Sequence, residues 1–173
     1  MVTECQQGNR QALGTLVNEY QKPVYNAVYR MLGNADEAAD VTQTAFLKAL
    51  ENIDRFDPKF RFFSWIYRIG LNEAIDELKR RKRLEPMTET PAADTPRPQD
   101  QVATSQATDQ VQAALMEIKE DLREVLVLRY FTECSYHQIG EILELPDKTV
   151  KSRLFSARQQ LKTQLEHHGI HSA

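Results

Sequence analysis

The sequence predicts an all-α chain of two small helical domains joined by a flexible linker, the second domain a helix-turn-helix. Three observations carry this. Apolar residues recur at helical spacing over most of the chain; no stretch shows sustained period-two alternation with hairpin turn signals; and one Pro-rich, apolar-poor stretch, residues 84–110, divides the helical pattern in two.

In the first half, Leu13, Leu16, Val17 and Tyr20 fall at i, i+3, i+4 and i+7, and Val24, Val28 and Leu32 continue the stripe beyond Pro23. Asn34 with Glu37 three residues on has the form of a capping box, opening a helix with Ala38, Val41, Ala45 and Ala49 on its apolar side. Asp57-Pro58 interrupts it, and another helix is expected from about Ser64 to Arg83 with Leu71, Ile75 and Leu78 inward. In residues 84–110, Pro86, Pro91, Pro96 and Pro98 stand among Thr, Ala, Asp and Gln, and Leu84, Met87 and Val102 are the only large apolar side chains. Such a segment buries too little surface to offset its ordering entropy, and predicts a linker spanning roughly 30 Å as a coil and about 90 Å when nearly extended.

Beyond it, Val111, Leu115, Ile118, Leu122 and Val125 mark one helix. Ser135 and Gln138 form a second capping box, opening a short helix with Ile139, Ile142 and Leu143 inward. Glu144-Leu145-Pro146 makes a tight turn, and Asp147 is expected to cap a longer helix with the stripe Val150, Leu154, Ala157 and Leu161. Short helix, three-residue turn and longer helix is the helix-turn-helix plan. The expected division is 1–83, linker 84–110, 111–167, and a frayed tail 168–173, near which His167, His168 and His171 stand.

Composition excludes several classes. With 173 residues, 41% hydrophobic and 27% charged, the chain has room for one ordinary domain or two small ones. No run approaches the ~18 apolar residues of a membrane span, so no membrane insertion is expected. The first residues have neither a basic start nor an apolar core, which predicts a cytoplasmic protein without a secretory signal. Cys5 and Cys134 lie far apart without CxxC spacing and are expected as free thiols. A Gly-rich phosphate loop, HExxH and metal-spaced clusters are all absent from the sequence, so neither catalysis nor a cofactor or metal is expected.

The formal net charge of −3 conceals a segregated pattern: residues 59–83 carry +5 and residues 146–162 carry +4, while 84–110 and 111–145 carry −4 each. In the second block, Lys148, Lys151, Ser152 and Phe155 lie opposite the apolar stripe, with Arg153, Ser156 and Arg158 near its edges. These side chains suit a major-groove helix: cations for phosphates and guanine edges, Ser for phosphate or base, an aromatic for a thymine methyl. Beside the first block, Phe56, Phe60, Phe62, Phe63, Trp65 and Tyr67 fall within twelve residues, interleaved with Lys59, Arg61 and Arg68. Trp65 and Ile69 are expected in the core. Phe60, Phe62 and Phe63 are expected in the Pro58 loop as a stacking platform for unpaired bases, flanked by cations for the phosphates.

These motifs resemble, in order and over nearly the whole chain, those of extracytoplasmic-function sigma factors, small two-domain bacterial transcription initiation factors. Leu16-Val17-Asn18-Glu19-Tyr20 with Pro23-Val24-Tyr25 resembles the first helix of that family, and Asp40, Gln43 and Phe46 match its DxxQxxF motif. Ser64-Trp65-Ile66-Tyr67-Arg68-Ile69-Gly70-Leu71-Asn72 resembles its strand-opening helix. Thr149-Val150-Lys151-Ser152-Arg153-Leu154 with Ala157-Arg158 resembles its recognition helix. The resemblance implies that Asp40, Gln43 and Phe46 bind the largest subunit of core RNA polymerase while the C-terminal domain sits on the second-largest. It implies that Phe56, Lys59, Phe60, Arg61, Phe62, Phe63, Asn72 and Lys79 hold the opened −10 element, and that Lys148, Thr149, Lys151, Ser152, Arg153, Phe155, Ser156 and Arg158 read the −35 element of promoter DNA. An anti-sigma factor is the further partner implied, and the free chain is expected to be a monomer. Thr44, where the family usually has an acidic residue, and Ser156, where it often has a larger one, depart from the pattern. The alternative is a stand-alone helix-turn-helix regulator with a helical sensor domain, which leaves the aromatic loop and the DxxQxxF helix without a role. The charge pattern also raises the expectation that the free chain is held inactive, either clamped by an anti-sigma factor or with the acidic 111–145 segment packed near the +5 block.

Overall fold

The structure, a computed structural model, describes residues 1–85 and 102–171, with side chains of the second segment described from Gln106 onward. Every regular element among them is helical: α1 (Val2–Gln6), α2 (Arg10–Leu32), α3 (Ala35–Glu51), a single 3-10 turn (Ile53–Arg55), α4 (Phe62–Leu84), α5 (Val102–Met116), α6 (Glu120–Leu126) running into a π-helical turn (Val127–Phe131), α7 (Tyr136–Leu143) and α8 (Asp147–His167).

Local sequence explains several of the helix ends. Asn9 Oδ1 accepts from the amides of Gln11 and Ala12 and starts α2, which passes through Pro23 and stops at Gly33. Gly33 adopts φ 72°, and a Cβ there would sit 2.9 Å from Met116 Sδ, so both conformation and space favour glycine. Asn34 Oδ1 accepts from the Glu37 amide at 3.0 Å. The Glu37 carboxylate pairs with Arg81, which also donates to the Leu32 carbonyl. α2, α3 and α4 enclose Leu16, Val24, Met31, Phe46, Ile66 and Leu71. The short α1 is fastened by Gln6, whose amide donates to the carbonyls of Ile53 and Phe56 at 2.9 and 2.8 Å.

The second half departs from expectation in four places. The single helix expected through Val111 and Val125 is two helices, broken at residues 117–119. The break is held by Arg123, buried at 4% exposure, whose guanidinium donates to the carbonyls of Leu115, Met116 and Ile118 at 2.8–3.0 Å and ties off the end of α5. α5 begins at Val102, inside the stretch expected to be linker; residues 86–101 of that stretch lie outside the described residues. Pro146, not Asp147, occupies the position before α8, and the Asp147 carboxylate instead lies 3.5 Å from the exposed imidazole of His137. His168, expected in a frayed tail, is docked: its Nε2 lies 3.0 Å from Glu117 Oε1.

The helix-turn-helix corner follows the sequence closely. Ser135 and Gln138 form both bonds of the capping box. Glu144 takes φ 55°, the Leu145 amide donates to the Gly140 carbonyl at 2.9 Å, and a Cβ on residue 140 would come within 2.6 Å of the Leu145 carbonyl oxygen. Only glycine fits that approach. Both cysteines are free and buried.

The two halves pack against each other and share one continuous apolar cluster. Arg123 reaches across to the Met31 carbonyl at the end of α2, at 2.5 Å. Arg30 and Gln112 exchange hydrogen bonds at 3.1 Å, and Arg30 stacks 4.5 Å over Phe131. Lys82 pairs with Glu120 and holds that carboxyl below the usual carboxylate range. Arg68 of α4 closes the far end of the contact by donating to the carbonyls of Glu141 and Ile142.

Candidate nucleic-acid and polymerase interfaces

Three surfaces emerge, one on the second half and two on the first. On α8, Lys148, Lys151, Ser152 and Phe155 are exposed at i, i+3, i+4 and i+7, with Phe155 at 66%, and Ser156 beside them is also exposed. This is the length and chemistry of a helix that enters a major groove. Arg158 is held in place at the edge of this face: it donates to the Tyr130 hydroxyl at 2.6 Å and the Tyr136 hydroxyl at 3.3 Å. That bond draws the Tyr136 hydroxyl below its ordinary pKa. Arg153 turns the other way. Its guanidinium lies 3.7 Å from Glu124, a buried residue on α6 whose carboxyl burial pushes up to about 7. Arg153, expected near the DNA edge, thus braces α8 against α6, and Thr149 is half-buried at the corner, its amide donating to Pro146.

On the first half, the loop before α4 exposes Lys59, Phe60 and Arg61, with Phe60 at 70%. Asp57 shapes the loop, its carboxylate accepting from the Lys59 amide and its carbonyl from the Phe60 amide, both at 3.0 Å. Phe62, expected on the stacking platform, and Phe56, expected among the −10 contacts, are core residues at 7% and 6% exposure. The reason is helical phase: α4 begins at Phe62 rather than Ser64, so Phe62 lies one turn before Ile66 on the buried face and packs against Phe56, Tyr20 and Trp65 at centroid distances of 5.3–5.9 Å. Phe63 is half-buried against Tyr67. Conversely, Trp65 and Ile69, expected in the core, are only half-buried. They line a pocket of about 410 Å³ together with Lys48, Asn52, Arg55, Asn72 and Glu73. Sequence reasoning found Asn72 and missed the others, although the signal is present. Lys48, Asn52 and Arg55 repeat at i, i+4 and i+7, as do Trp65, Ile69 and Asn72, so two polar-edged faces meet. Lys79 is exposed two turns beyond Asn72.

The third surface lies on α3. Asp40, Gln43, Thr44 and Leu47 are exposed at i, i+3, i+4 and i+7, and Leu47, at 54%, is a large apolar group facing water. Phe46, expected among the contact residues, is buried at 7% and anchors the helix from behind; Leu47 is the apolar residue on the outer face. No helix among the described residues is long and apolar enough to cross a membrane.

Comparison with known proteins identifies the family of each half. Residues 16–84 match the Sigma-70 region 2 family and residues 108–161 match Sigma-70, region 4. The chain is 35% identical to the ECF RNA polymerase sigma factor SigW of Bacillus subtilis, over 95% of this chain and 94% of the relative. It is 31% identical to the RNA polymerase sigma-H factor of Pseudomonas aeruginosa, over 96% and 92%. Among solved structures, CnrH in complex with the cytosolic domain of CnrY matches 96% of this chain and 95% of its own with a TM-score of 0.74 at 26% identity. A basic helix-turn-helix face, an exposed aromatic and basic loop, and this near full-length similarity together place the chain among the extracytoplasmic-function sigma factors, which direct RNA polymerase to promoters for transcription initiation.

Proposed function

We propose that the three surfaces divide the work of promoter recognition. The α3 face of Asp40, Gln43, Thr44 and Leu47 docks on the largest subunit of core polymerase, and the C-terminal half rests on the second-largest. Lys148, Lys151, Ser152, Phe155 and Ser156 enter the major groove of the −35 element, with Arg158 presented by its two tyrosines. Thr149 and Arg153 set the angle of the helix. At the −10 element, Lys59 and Arg61 track the phosphates of the non-template strand, Phe60 stacks on an unpaired base, and Asn72 meets a second base in the pocket floored by Trp65. Phe56, Phe62 and Phe63 support that loop from below, and Lys79 extends the path of the backbone. Stacking worth ~1–3 kcal/mol per base offsets the few kcal/mol of unpairing, so melting follows from binding and needs no hydrolysis.

The observation that carries this reading is that α8 and the Lys59-Phe60-Arg61 loop, one suited to duplex and the other to single strand, are both solvent-exposed on one short chain. The protein acts in the cytoplasm. An anti-sigma partner is part of the proposal; the likeness to CnrH, solved in complex with the cytosolic domain of CnrY, supports a protein partner for this fold. Reconstituted transcription with core polymerase and a randomised promoter library tests the reading. Transcripts should come from templates sharing two separated elements; transcripts without such enrichment would contradict it.

A further inference from the structure

The turn that precedes the Phe60 loop is tied to α1. It is a single 3-10 turn, Ile53–Arg55, closed by the Phe56 amide donating to the Ile53 carbonyl at 3.1 Å. Arg55 on this turn lines the pocket that holds Trp65 and Asn72, and Phe56 packs against Trp65 at a centroid distance of 5.0 Å. From Phe56 the chain runs directly into the exposed loop of Lys59, Phe60 and Arg61. One edge of the pocket and the root of the loop therefore belong to the same few residues. A single 3-10 turn has little hydrogen bonding of its own to hold such a geometry. Here one side chain supplies it: Gln6 Nε2 donates to the carbonyls of Ile53 at 2.9 Å and Phe56 at 2.8 Å, residues 47 and 50 positions away in the chain. A glutamine amide has two donor hydrogens, so both bonds are made at once. Gln6 is itself held, because α1 has five residues, well short of the roughly 12–15 that sustain an isolated helix, and stays in place by burying Cys5 and packing Val2 on the core.

We propose that Gln6 is a positioning residue for promoter opening: through its two carbonyl bonds α1 sets the direction in which the chain leaves Phe56, and so aims the Lys59-Phe60-Arg61 loop and the Arg55 edge of the pocket at the unpaired strand. This inference rests on the function proposed above. The side chains of Ile53 and Phe56 are buried at 8% and 6% exposure, so apolar packing already anchors the turn; what Gln6 adds is the orientation of its backbone. Gln6 itself touches no DNA in this scheme and acts only through the turn. Its bonds reach neither α8 nor the outer face of α3, so duplex reading and polymerase docking do not depend on it. The step that does depend on it is capture of opened bases, because a loop already set in its binding geometry gives up less freedom when a base stacks on it.

Permanganate reactivity of thymines placed within the −10 segment, measured with the full chain and saturating core polymerase on a duplex promoter, tests the role of Gln6. Transcription from the same promoter carrying a pre-opened, mismatched −10 segment is measured in parallel. Gln6→Ala, which removes both donors, should lower opening of the duplex about tenfold. Gln6→Glu, which sets a carboxylate against two carbonyls, should lower it further, and Gln6→Lys, whose ammonium restores a donor, should recover most of the wild-type opening. On the pre-opened template all three variants should transcribe as well as the wild type, which also shows that they fold and bind polymerase. Wild-type opening by Gln6→Glu, equal losses on the two templates, or a Gln6→Lys variant no better than Gln6→Ala overturns the role of Gln6 and leaves the proposed function standing. A wild-type enzyme that leaves those thymines unreactive overturns the proposed function instead.

Discussion

The two basic helices of this chain use their charge in opposite ways. On α4, Arg68 pairs with Glu144, Arg80 with Glu77, Arg81 with Glu37 and Lys82 with Glu120, so half of the eight cations in the +5 block are paired within the molecule. On α8, Lys148 and Lys151 face solvent, Arg158 is held by hydroxyls that leave its charge uncompensated, and Arg153 alone turns back to an acid. Equal-looking runs of Lys and Arg therefore differ in what they offer a phosphate. The first block holds helices and halves together through four of its cations and keeps Lys59, Arg61, Lys79 and Arg83 exposed; the second is an open electrostatic surface.

This contrast is sharpest where charge is buried. Arg123→Ala removes four hydrogen bonds to carbonyls at two helix ends and leaves a void, and is expected to cost about 3–5 kcal/mol in urea or thermal unfolding. Loss of less than 1 kcal/mol would break the comparison. Next is Glu124, whose folded carboxyl binds a proton up to about pH 7, well above the unfolded value near 4.5. The folded state therefore holds more protons between these limits. Its stability contribution is complete below the unfolded pKa and is lost as pH rises through 7, by at most about 3 kcal/mol. Glu124→Gln should flatten that part of the stability–pH curve; an unchanged curve would show that another group carries the slope. Outward charge should behave differently. Lys151→Ala is expected to leave unfolding within about 0.5 kcal/mol and to reduce the salt slope of holoenzyme binding to promoter DNA by about one. The smallest effect belongs to the exposed Arg80–Glu77 pair: Arg80→Ala should leave the unfolding midpoint and the DNA affinity of the holoenzyme unchanged within the error of either measurement.

Much of this fold is legible in the sequence because the helix spacing is regular and the caps are strong. Asn34, Ser135 and Gln138 mark helix starts that the structure keeps, and Gly140 with Glu144 makes the corner that the three-residue turn predicts. The break at residues 117–119 is not legible. The stripe through Leu115, Ile118 and Leu122 runs across it without Gly or Pro, and the break depends on Arg123, which also answers to Met31 in the other half. The aromatic cluster shows the same limit. Whether Phe62 faces a base or the core turns on a two-residue shift in where α4 begins, and that shift is decided by packing against Tyr20 and Phe56. On α3, the DxxQxxF pattern falls on a helix as its spacing suggests, but the helical phase buries Phe46 and brings Leu47 to the surface. Contact between the halves was visible only as complementary charge, since pairs such as Arg68 and Glu144 lie too far apart in the chain for spacing to connect them.

The central claim is that the chain recognises its promoter only when polymerase holds both reading faces apart. Footprinting of one promoter with the free chain, and with the chain bound to core polymerase, tests it directly. The account predicts protection of both elements by the assembled enzyme and no specific protection by the free chain at the same concentration. Simultaneous specific protection of the −35 and −10 elements by the free chain would contradict it.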